Sequence, residues 1–260
     1  IGISGEDRLM WLHSLTTQHL ENLQPGEWKE ALILDPQGHL ESQFFLVDDG
    51  ERTFLHIDRE MAEPLLSYLE KMKFMLRVSV EDLSSSYVIF KAPGKTNSIG
   101  GPFALVPRSE MQPTATAFSL ANTEVGMWAL EAERISQGRA RIGLDTDHKT
   151  IPNEIGVLNK SVHMNKGCYR GQETVAKVFN LGQPPRRLVL LHLDGSNVDL
   201  PAHGDSIFAG EKEVGFVGSV GRHHELGPIA LGLVKRNTPP DTILFAGGIP
   251  ATQEILVPTE

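Results

Sequence analysis

The pattern of apolar and polar residues in the N-terminal half predicts short strands mixed with helices. It predicts strands at residues 28–34, 39–47 and 52–57, with glycine-containing turns between them. Two further short strands are predicted at 76–80 and 87–90, around a serine-rich turn. Groups of consecutive strands separated by helices are typical of an α+β domain.

Three stretches repeat apolar residues at helical spacing. The first begins near Glu6 with Ser4 as its cap, and the second spans residues 61–72. The third covers residues 124–137, where Gly138 supplies a stop signal. We expect its apolar face to consist of Val125, Trp128, Ala132 and Ile135.

After a linker at residues 182–185 the pattern becomes all-β. Short strands are predicted at residues 187–193, 205–209, 213–220, 229–234 and 254–257. Strands of this length punctuated by glycine indicate a small barrel. The predicted architecture is therefore an α+β domain over residues 1–181 and a C-terminal β-barrel domain over residues 182–260. A crevice between two such domains is a natural site for a small molecule.

Charge and cysteine content narrow the possible partners. The net charge of −9 disfavours strong direct binding to nucleic acid, yet allows a local basic patch that meets a small anion. Two pairs offer such a patch, Arg186 with Arg187 and Lys235 with Arg236. One cysteine cannot form an intrachain disulfide, which favours a reducing compartment, and we predict the cytoplasm.

Neither a membrane span nor a leader is predicted. No apolar run approaches the roughly 20 residues that cross a bilayer, so a membrane is not an expected partner. The first residues have neither an initiator Met nor a signal-peptide pattern. We expect that residues upstream of Ile1 are missing.

Unusual residues are concentrated between Lys166 and Glu173, around the only cysteine, Cys168. Two glycines allow the backbone to turn tightly and to approach a ligand. Lys166, Arg170 and the start of a helix near Gly171 all favour a thiolate at this sulfur. The alternative is that Cys168 is a small buried hydrophobic residue, which is the usual fate of a free cysteine.

A permanent metal centre is not expected. One sulfur cannot supply the four protein ligands that an iron–sulfur cluster generally needs, and no cysteine pair exists for structural zinc. His148 and His163 are interpreted as ordinary polar residues, and no hydrolase signature supports pairing His163 with Cys168. The sequence therefore predicts no metal site, and any part in cluster chemistry must be transient or shared with a partner.

A second segment of interest ends at Glu154. A proline turn at residues 151–154 fixes the approach to this carboxylate. A carboxylate can accept two parallel hydrogen bonds from a flat edge of N–H and NH₂ groups, such as that of a pterin ring. The alternative interpretation is a solvated surface acid.

Taken together, these motifs resemble the folate-binding relatives of the glycine cleavage T-protein, specifically the YgfZ branch. Its signature Lys-Gly-Cys-Tyr-x-Gly-Gln-Glu is matched without gaps by residues 166–173. Other pieces follow in the same order at residues 4–7, 12–17, 35–38, 134–138, 151–154 and 186–189. The resemblance covers nearly the whole chain.

By implication, the chain has the T-protein fold and binds tetrahydrofolate or a derivative. The resemblance places Glu154 on the pterin edge, with Arg187 and Arg186 near the folate. Cys168 becomes the functional thiol, tuned by Lys166 and Arg170, and the ligand lies near the loop formed by Tyr169, Gln172 and Glu173. The implied role is folate-dependent assembly or repair of iron–sulfur proteins, including tRNA-modifying enzymes, through transient contact with those proteins or their assembly machinery.

One departure from the family pattern bears on enzymatic activity. T-proteins carry an Asp-Asp pair that serves aminomethyl transfer, whereas the corresponding stretch here reads His39-Leu40-Glu41-Ser42-Gln43. A functional glycine-cleavage aminomethyltransferase is therefore not expected. Two alternatives stay open, namely a folate-dependent one-carbon transferase and a binding module in which Cys168 is structural.

Overall fold

The computed structural model describes residues 1–91, 103–120, 122–182, 184–196 and 199–257. The chain divides into two compact units, each assembled from three segments. The first unit contains Ile1–Asp35, Glu41–Glu124 and Asn159–Gln172. The second contains Pro36–Leu40, Val125–Leu158 and Glu173–Glu260. The predicted domain boundary at residues 181 and 182 stays a prediction.

A five-stranded sheet with the order β2-β3-β4-β1-β5 organises the first unit. Its strands are β1 (Gly2–Ser4), β2 (Trp28–Leu34), β3 (Leu40–Asp48), β4 (Arg52–His56) and β5 (Ser79–Glu81). Strand β1 pairs antiparallel with both β4 and β5, so the first residues of the chain lie inside the sheet. The strands predicted at residues 28–34, 39–47 and 52–57 are confirmed within one residue at each end.

Two helices cover this sheet and close its core. Helix α1 spans Arg8–Leu15 and α2 spans Arg59–Met72, and both were predicted from their apolar spacing. The buried residues of the core include Trp11 and Leu12 from α1 and Leu65 and Leu69 from α2. The cap of α1 is Asp7 rather than the predicted Ser4.

A second strand pair includes one strand, and is followed by one helix, that the sequence pattern did not predict. Strand β6 (Tyr87–Phe90), which was predicted, pairs antiparallel with β7 (Ala104–Pro107). A 3-10 turn at Arg108–Glu110 then leads into helix α3 (Met111–Ser119). Helix α3 has no buried residue, so it lacks the apolar face that makes a helix visible in a sequence.

The second unit is dominated by a closed six-stranded barrel with the order β10-β11-β8-β13-β12-β9. Its strands are β8 (Arg186–Leu193), β9 (Ser206–Ala209), β10 (Lys212–His223), β11 (Gly227–Lys235), β12 (Leu244–Ala246) and β13 (Ile249–Ile255). Alternate residues point inward and form a dry core that includes Val189, Leu191, Ile207 and Val217. The predicted barrel is confirmed, although β12 was missed and β13 begins earlier than expected.

Helix α4 (Met127–Ser136) packs on the barrel strands β10 and β11 with a different face from the predicted one. Ala132 and Ile135 are buried as expected, but Trp128 is 88% exposed and Val125 is 68% exposed. The reason lies at Gly221 of β10, where an added Cβ would sit 3.1 Å from the Ile135 side chain. The helix therefore packs on a glycine of the barrel through Ala132 and Ile135, both in its C-terminal half.

Short elements complete the described chain. A 3-10 turn covers Pro152–Glu154, and two further helices are α5 (Leu158–Ser161) and α6 (Gln172–Leu181). Helix α6 agrees with the short helix expected to start near Gly171. Within the described residues, no helix combines the length and apolar character that crossing a bilayer requires.

Candidate functional site

The only cysteine, Cys168, lies on the loop between α5 and α6, and it is exposed. The alternative of a small buried hydrophobic residue is therefore wrong. The next residue, Tyr169, is buried, and burial raises the pKa of Tyr169 to about 12. A buried tyrosine beside an exposed thiol holds the loop in place while leaving the sulfur accessible to solvent.

Lys166 fastens this loop to the end of α1. Its buried ammonium group donates hydrogen bonds to the backbone oxygen atoms of Thr16 at 2.5 Å, of Gln18 at 3.2 Å and of His13. Burial lowers the pKa of Lys166 to about 8. Because all three protons of the ammonium point at carbonyl groups, none is left for a direct hydrogen bond to the sulfur of Cys168. The observed role of Lys166 is to anchor the loop. Its predicted electrostatic effect on the thiol of Cys168 stays a prediction.

Arg170 connects the same loop to the stretch that departs from the T-protein pattern. Its guanidinium group donates to both carboxylate oxygens of Glu41, at 3.2 and 3.3 Å. It also lies over the ring of Tyr68, 6.0 Å from the ring centroid. Ser42, next to Glu41, is buried. The structure therefore brings Arg170 of the signature segment together with the residue at the altered position.

The two glycines of the signature differ in what they require. Gly171 has φ of +80°, a conformation that favours glycine, and it immediately precedes α6. Gly167 is not in that region, and an added Cβ there would meet nothing within 4 Å. The tight turn expected at both glycines is thus built only at Gly171. Gln172 and Glu173 form the first turn of α6, where Gln172 is half-buried and Glu173 is exposed.

Glu154 is completely buried in the second unit, so the alternative of a solvated surface acid is wrong. Its two oxygens accept hydrogen bonds from Nε and Nη2 of Arg186, both at 2.9 Å. One oxygen also accepts from the backbone N–H of Ile151. Three of the roughly four acceptor positions of the carboxylate are therefore used by the protein itself. A pterin edge would have to share Glu154 with Arg186 or displace it.

Arg186 bridges two acids. Besides Glu154, its guanidinium group contacts both carboxylate oxygens of Asp147, at 2.7 and 3.0 Å. Although burial alone would lower it, the hydrogen bonds to Glu154 and Asp147 hold the pKa of Arg186 above its ordinary value. Burial alone would raise the pKa of Asp147, but hydrogen bonds led by that from Arg186 lower it. The charge of Arg186 is thus fully compensated within the unit.

Arg187 has different surroundings from its neighbour. It is 3% exposed and donates through Nη2 to the backbone oxygen of Thr238 at 2.6 Å. Burial first, and then the nearby charge of Arg236, lower the pKa of Arg187. Among the residues that the structure describes, Nε of Arg187, Nε of Arg236 and the hydroxyl of Thr238 are buried without a hydrogen-bond partner. Buried donors on two neighbouring arginines are suited to binding an anion.

Three side chains of the first unit form a group that was not predicted from the sequence. His13, His19 and Glu21 lie with their ligating atoms within 4.8 Å of one another. Burial, followed by repulsion from Lys166, lowers the pKa of His13. Three possible metal ligands within nine positions could have indicated a site from the sequence. Their spacing, however, fits neither a helix nor a strand, so nothing predicted that they lie together. His163, interpreted as an ordinary residue, lies beside this group, 5.3 Å from His19 between ring centroids.

Several known proteins are similar in sequence to this chain. The family model described as the glycine cleavage T-protein C-terminal barrel domain matches residues 186–247. The chain is 24% identical to a putative chloroplastic transferase of Arabidopsis thaliana, over 91% of this chain and 63% of that protein. It is 25% identical to a mitochondrial iron-sulfur cluster assembly factor IBA57 homolog of Mycosarcoma maydis, over 74% of this chain and 54% of that protein.

Two further relatives extend the comparison. The chain is 24% identical to the tRNA-modifying protein YgfZ of Colwellia psychrerythraea, over 83% of this chain and 74% of that protein. The crystal structure of the glycine cleavage system aminomethyltransferase T from Bartonella henselae matches all of this chain and 83% of its own, with a TM-score of 0.77 and 17% identity. The fold is therefore that of the T-protein. The chain spans less than two thirds of the Arabidopsis and Mycosarcoma relatives.

Proposed function

Because the chain is a YgfZ/IBA57-type relative of the glycine cleavage T-protein family, we propose that it is an accessory protein for assembly or repair of iron–sulfur proteins, including tRNA-modifying enzymes. The observation that carries the proposal is the exposed thiol of Cys168. It lies on a loop that Lys166 anchors to the backbone oxygens of Thr16 and Gln18. Clients or assembly proteins make transient contact with this loop. Cytoplasmic placement stays a prediction, since two relatives carry names that place them in organelles.

Chemistry limits what Cys168 can do alone. A cluster generally needs four protein ligands, and this chain has one cysteine. The cluster is therefore cargo, and a client or carrier protein supplies the other ligands while Cys168 supplies one thiolate. Exposure of the sulfur suits this shared role, because a partner can reach it without unfolding the loop.

Tetrahydrofolate binding is the second part of the proposal. Folates combine a flat pterin edge with an anionic tail, and the second unit offers counterparts for both. Glu154 is a buried carboxylate, while Arg187 and Arg236 present donors that no described residue satisfies. We propose that the anionic tail binds at Arg187 and the pterin edge at Glu154, where Arg186 shares the carboxylate.

Aminomethyl transfer is the weaker proposal for the same fold. Glu41, the acid nearest to the position of the missing aspartate pair, is engaged by Arg170. Its carboxylate is thereby oriented towards a cation of the chain itself. Formation of methylenetetrahydrofolate from an aminomethyl donor, assayed with competent partner proteins, would revive this alternative.

The role of Cys168 can be tested in a bacterium from which its own YgfZ-type protein has been removed. The readouts are the activity of iron–sulfur enzymes and the content of modified nucleosides in tRNA. We expect wild type to restore both, Cys168→Ser to fail, and the matched control Ser196→Ala, on an exposed turn of the second unit, to behave as wild type. Full restoration by Cys168→Ser at equal protein levels would remove the thiol from the proposal.

Folate binding is tested separately by calorimetric titration of the purified protein with tetrahydrofolate. Arg187→Gln keeps most of the side-chain volume and removes the charge, and we expect it to weaken binding at least tenfold. Lys212→Gln, an exposed cation on β10, is the matched control and should leave the affinity unchanged. Absence of binding by wild type, or equal affinity in Arg187→Gln, argues against the folate assignment whatever the outcome for Cys168.

A further inference from the structure

Three side chains that commonly ligate transition metals converge where α1 ends. His13 lies in the last turn of α1, while His19 and Glu21 follow on the next segment. One ligating atom from each lies within 4.8 Å of the other two. Two imidazoles and a carboxylate form a donor set that zinc and its neighbours in the first transition row accept. The sequence alone predicted no metal site, because no pair of metal ligands stood out in its motifs.

The backbone that carries His19 is held rigidly on both sides. The hydroxyl of Thr17 donates to the oxygen of Ser161 at 2.5 Å and accepts from the N–H of Leu32 at 3.0 Å. The amide of Gln18 donates to the backbone oxygens of Glu30 and Lys160. Leu20, on the other side, is completely buried. The hydrogen bonds of Thr17 and Gln18 fix the backbone beside His19 without using a ligating atom of His19 or Glu21, which favours a preorganised site.

A third histidine stands beside the group. The ring centroids of His13 and His19 are 4.8 Å apart, and those of His19 and His163 are 5.3 Å apart. His163 is brought there by the hydrogen bond from its backbone N–H to the oxygen of Thr17 at 2.9 Å. Imidazoles from two distant parts of the sequence thus lie next to one another in the first unit, and His163 is the additional side chain nearest in kind to a fourth ligand.

Charge and hydrogen bonding are compatible with a cation at this point. Glu21 contributes a negative charge, which partly offsets the positive charge of the Lys166 ammonium group. Nδ1 of His13 accepts a long hydrogen bond, 3.2 Å, from the backbone N–H of Leu20. A metal ion bound to His13 would replace this bond or shift the ring proton, and both changes are small adjustments of one side chain.

We propose that His13, His19 and Glu21 bind a divalent transition-metal ion of the zinc class, with the fourth position taken by water or His163. The site belongs to the first unit and does not depend on folate binding or on the cluster chemistry of Cys168. An open fourth position is typical of zinc sites that exchange a ligand, and structural zinc sites are usually closed by four protein ligands.

The test is metal titration of the full chain in which Cys168→Ser removes the thiol as a competing ligand. After treatment with a chelator, Zn²⁺ is titrated calorimetrically, and Co²⁺ is titrated while its visible d–d bands are recorded. We expect one equivalent of Zn²⁺ and Co²⁺ bands of the intensity typical of tetrahedral coordination. His19→Gln and Glu21→Gln should each weaken the affinity by at least about tenfold.

Matched controls separate this site from surface histidines in general. His148→Gln and His224→Gln alter exposed histidines of the second unit and should leave both titrations unchanged. Circular dichroism of each variant establishes that it is folded, and both tested ligands are at least partly exposed. The proposal is overturned if the Cys168→Ser protein binds Zn²⁺ equally well with and without the additional His19→Gln change, or if Co²⁺ gives only the weak bands of an octahedral aqua ion.

Discussion

At the scale of single residues, Lys166 holds the loop that carries Cys168 through hydrogen bonds to another segment of the chain. Its ammonium group reaches three backbone oxygens of the segment from His13 to Gln18. Thr16 and Gln18 are buried, and a buried carbonyl group that loses its donor costs free energy. These hydrogen bonds help to fix the position of the loop, and with it the thiol of Cys168.

Replacing Lys166 by methionine keeps the apolar stem and removes the donors. We expect Lys166→Met to lower the free energy of unfolding by about 2–4 kcal/mol, because buried carbonyl groups lose charged partners. Lys71→Met, at an exposed position of α2, is the control and should change the free energy by less than about 0.5 kcal/mol. Chemical denaturation of the three proteins measures the difference, and equal stability would show that the carbonyls are satisfied in another way.

The pKa of Lys166 gives this anchor a defined pH dependence. Its value in the folded protein, about 8, lies below the ordinary value of 10.5 because of burial. Between these values the unfolded chain binds more protons, so the stability of wild type rises with pH through this interval. We expect the stability difference between wild type and Lys166→Met to grow from pH 8 to 10. Denaturant titrations at several pH values measure it, and a flat difference contradicts the assignment.

The two signature glycines provide a matched pair of substitutions. Gly171→Ala forces a side chain into φ of +80° and should cost about 1–2 kcal/mol of unfolding free energy. Gly167→Ala meets no atom within 4 Å and no positive φ, so it should leave the stability nearly unchanged. Thermal unfolding of both variants checks the contrast. A large loss at Gly167 would mean that the loop is more tightly constrained than its geometry indicates.

At the scale of elements, one buried acid joins α4 to the barrel. Asp145 is 1% exposed and accepts from Arg134 at 3.0 Å and from the hydroxyl of Ser219 at 2.9 Å. It also accepts from the backbone N–H groups of Arg141 and Ser219. Gly218 leaves room for it, since an added Cβ would lie 2.3 Å from the Asp145 carboxylate. The carboxylate of Asp145 thus links helix, loop and strand β10, and Arg134 adds a direct hydrogen bond to the hydroxyl of Ser219.

Asp145→Asn replaces an acceptor by an amide whose NH₂ group faces other donors. We expect a loss of about 2–4 kcal/mol in unfolding free energy, since a buried cation and two backbone donors lose their charged partner. Asp241→Asn, at an exposed position of the same unit, serves as the control. Urea unfolding followed by circular dichroism compares the two variants. Similar midpoints would show that Arg134 finds another acceptor.

How much of the fold the sequence predicts also depends on the scale of the elements. Strands β2, β3 and β4 were predictable because one side of each strand faces a core and the local pattern records it. The buried face of α4 was not predictable, because the helix packs on Gly221, which lies more than 80 positions later in the chain. Helix α3 has no buried side chain and leaves no trace in the pattern.

The candidate site shows the same division. The segment around Cys168 was singled out because its residue types are unusual together, and Glu154 was singled out through the family resemblance. The burial of Glu154 was not predicted. The partners of these residues were not, since Lys166 reaches groups about 150 positions away and Arg186 returns to Asp147 and Glu154. Hydrogen bonds between distant segments have no periodic signal in a single sequence.

At the scale of the whole molecule, each unit is assembled from three separate segments. The barrel strands are contiguous in sequence, but α4, which packs on β10 and β11, lies far upstream in Val125–Leu158. A barrel cut at the predicted boundary therefore lacks the helix that covers Gly221 and the acid that binds Ser219. Its exposed apolar surface should reduce its stability.

Two fragments test this arrangement and the domain boundary together. We expect a fragment of residues 125–260 to unfold cooperatively, and a fragment of residues 182–260 to unfold at lower denaturant concentration and to bind a hydrophobic dye. The difference arises from the lost packing of Ala132 and Ile135. Equal stability of the two fragments would support the predicted boundary at residues 181 and 182 as a true domain limit.

The division of each unit into three segments also sets the order in which the protein can be completed during synthesis. Ribosomes add roughly 5–20 residues per second, so the stretch that ends at Glu124 leaves the exit tunnel seconds before Asn159–Gln172 can join it. Through that delay the carbonyl groups that Lys166 later binds have only solvent as a partner. The nascent first unit is therefore open to chaperones and proteases until the loop that carries Cys168 arrives, so the segment that we propose to be functional is also the last one needed to complete its own unit.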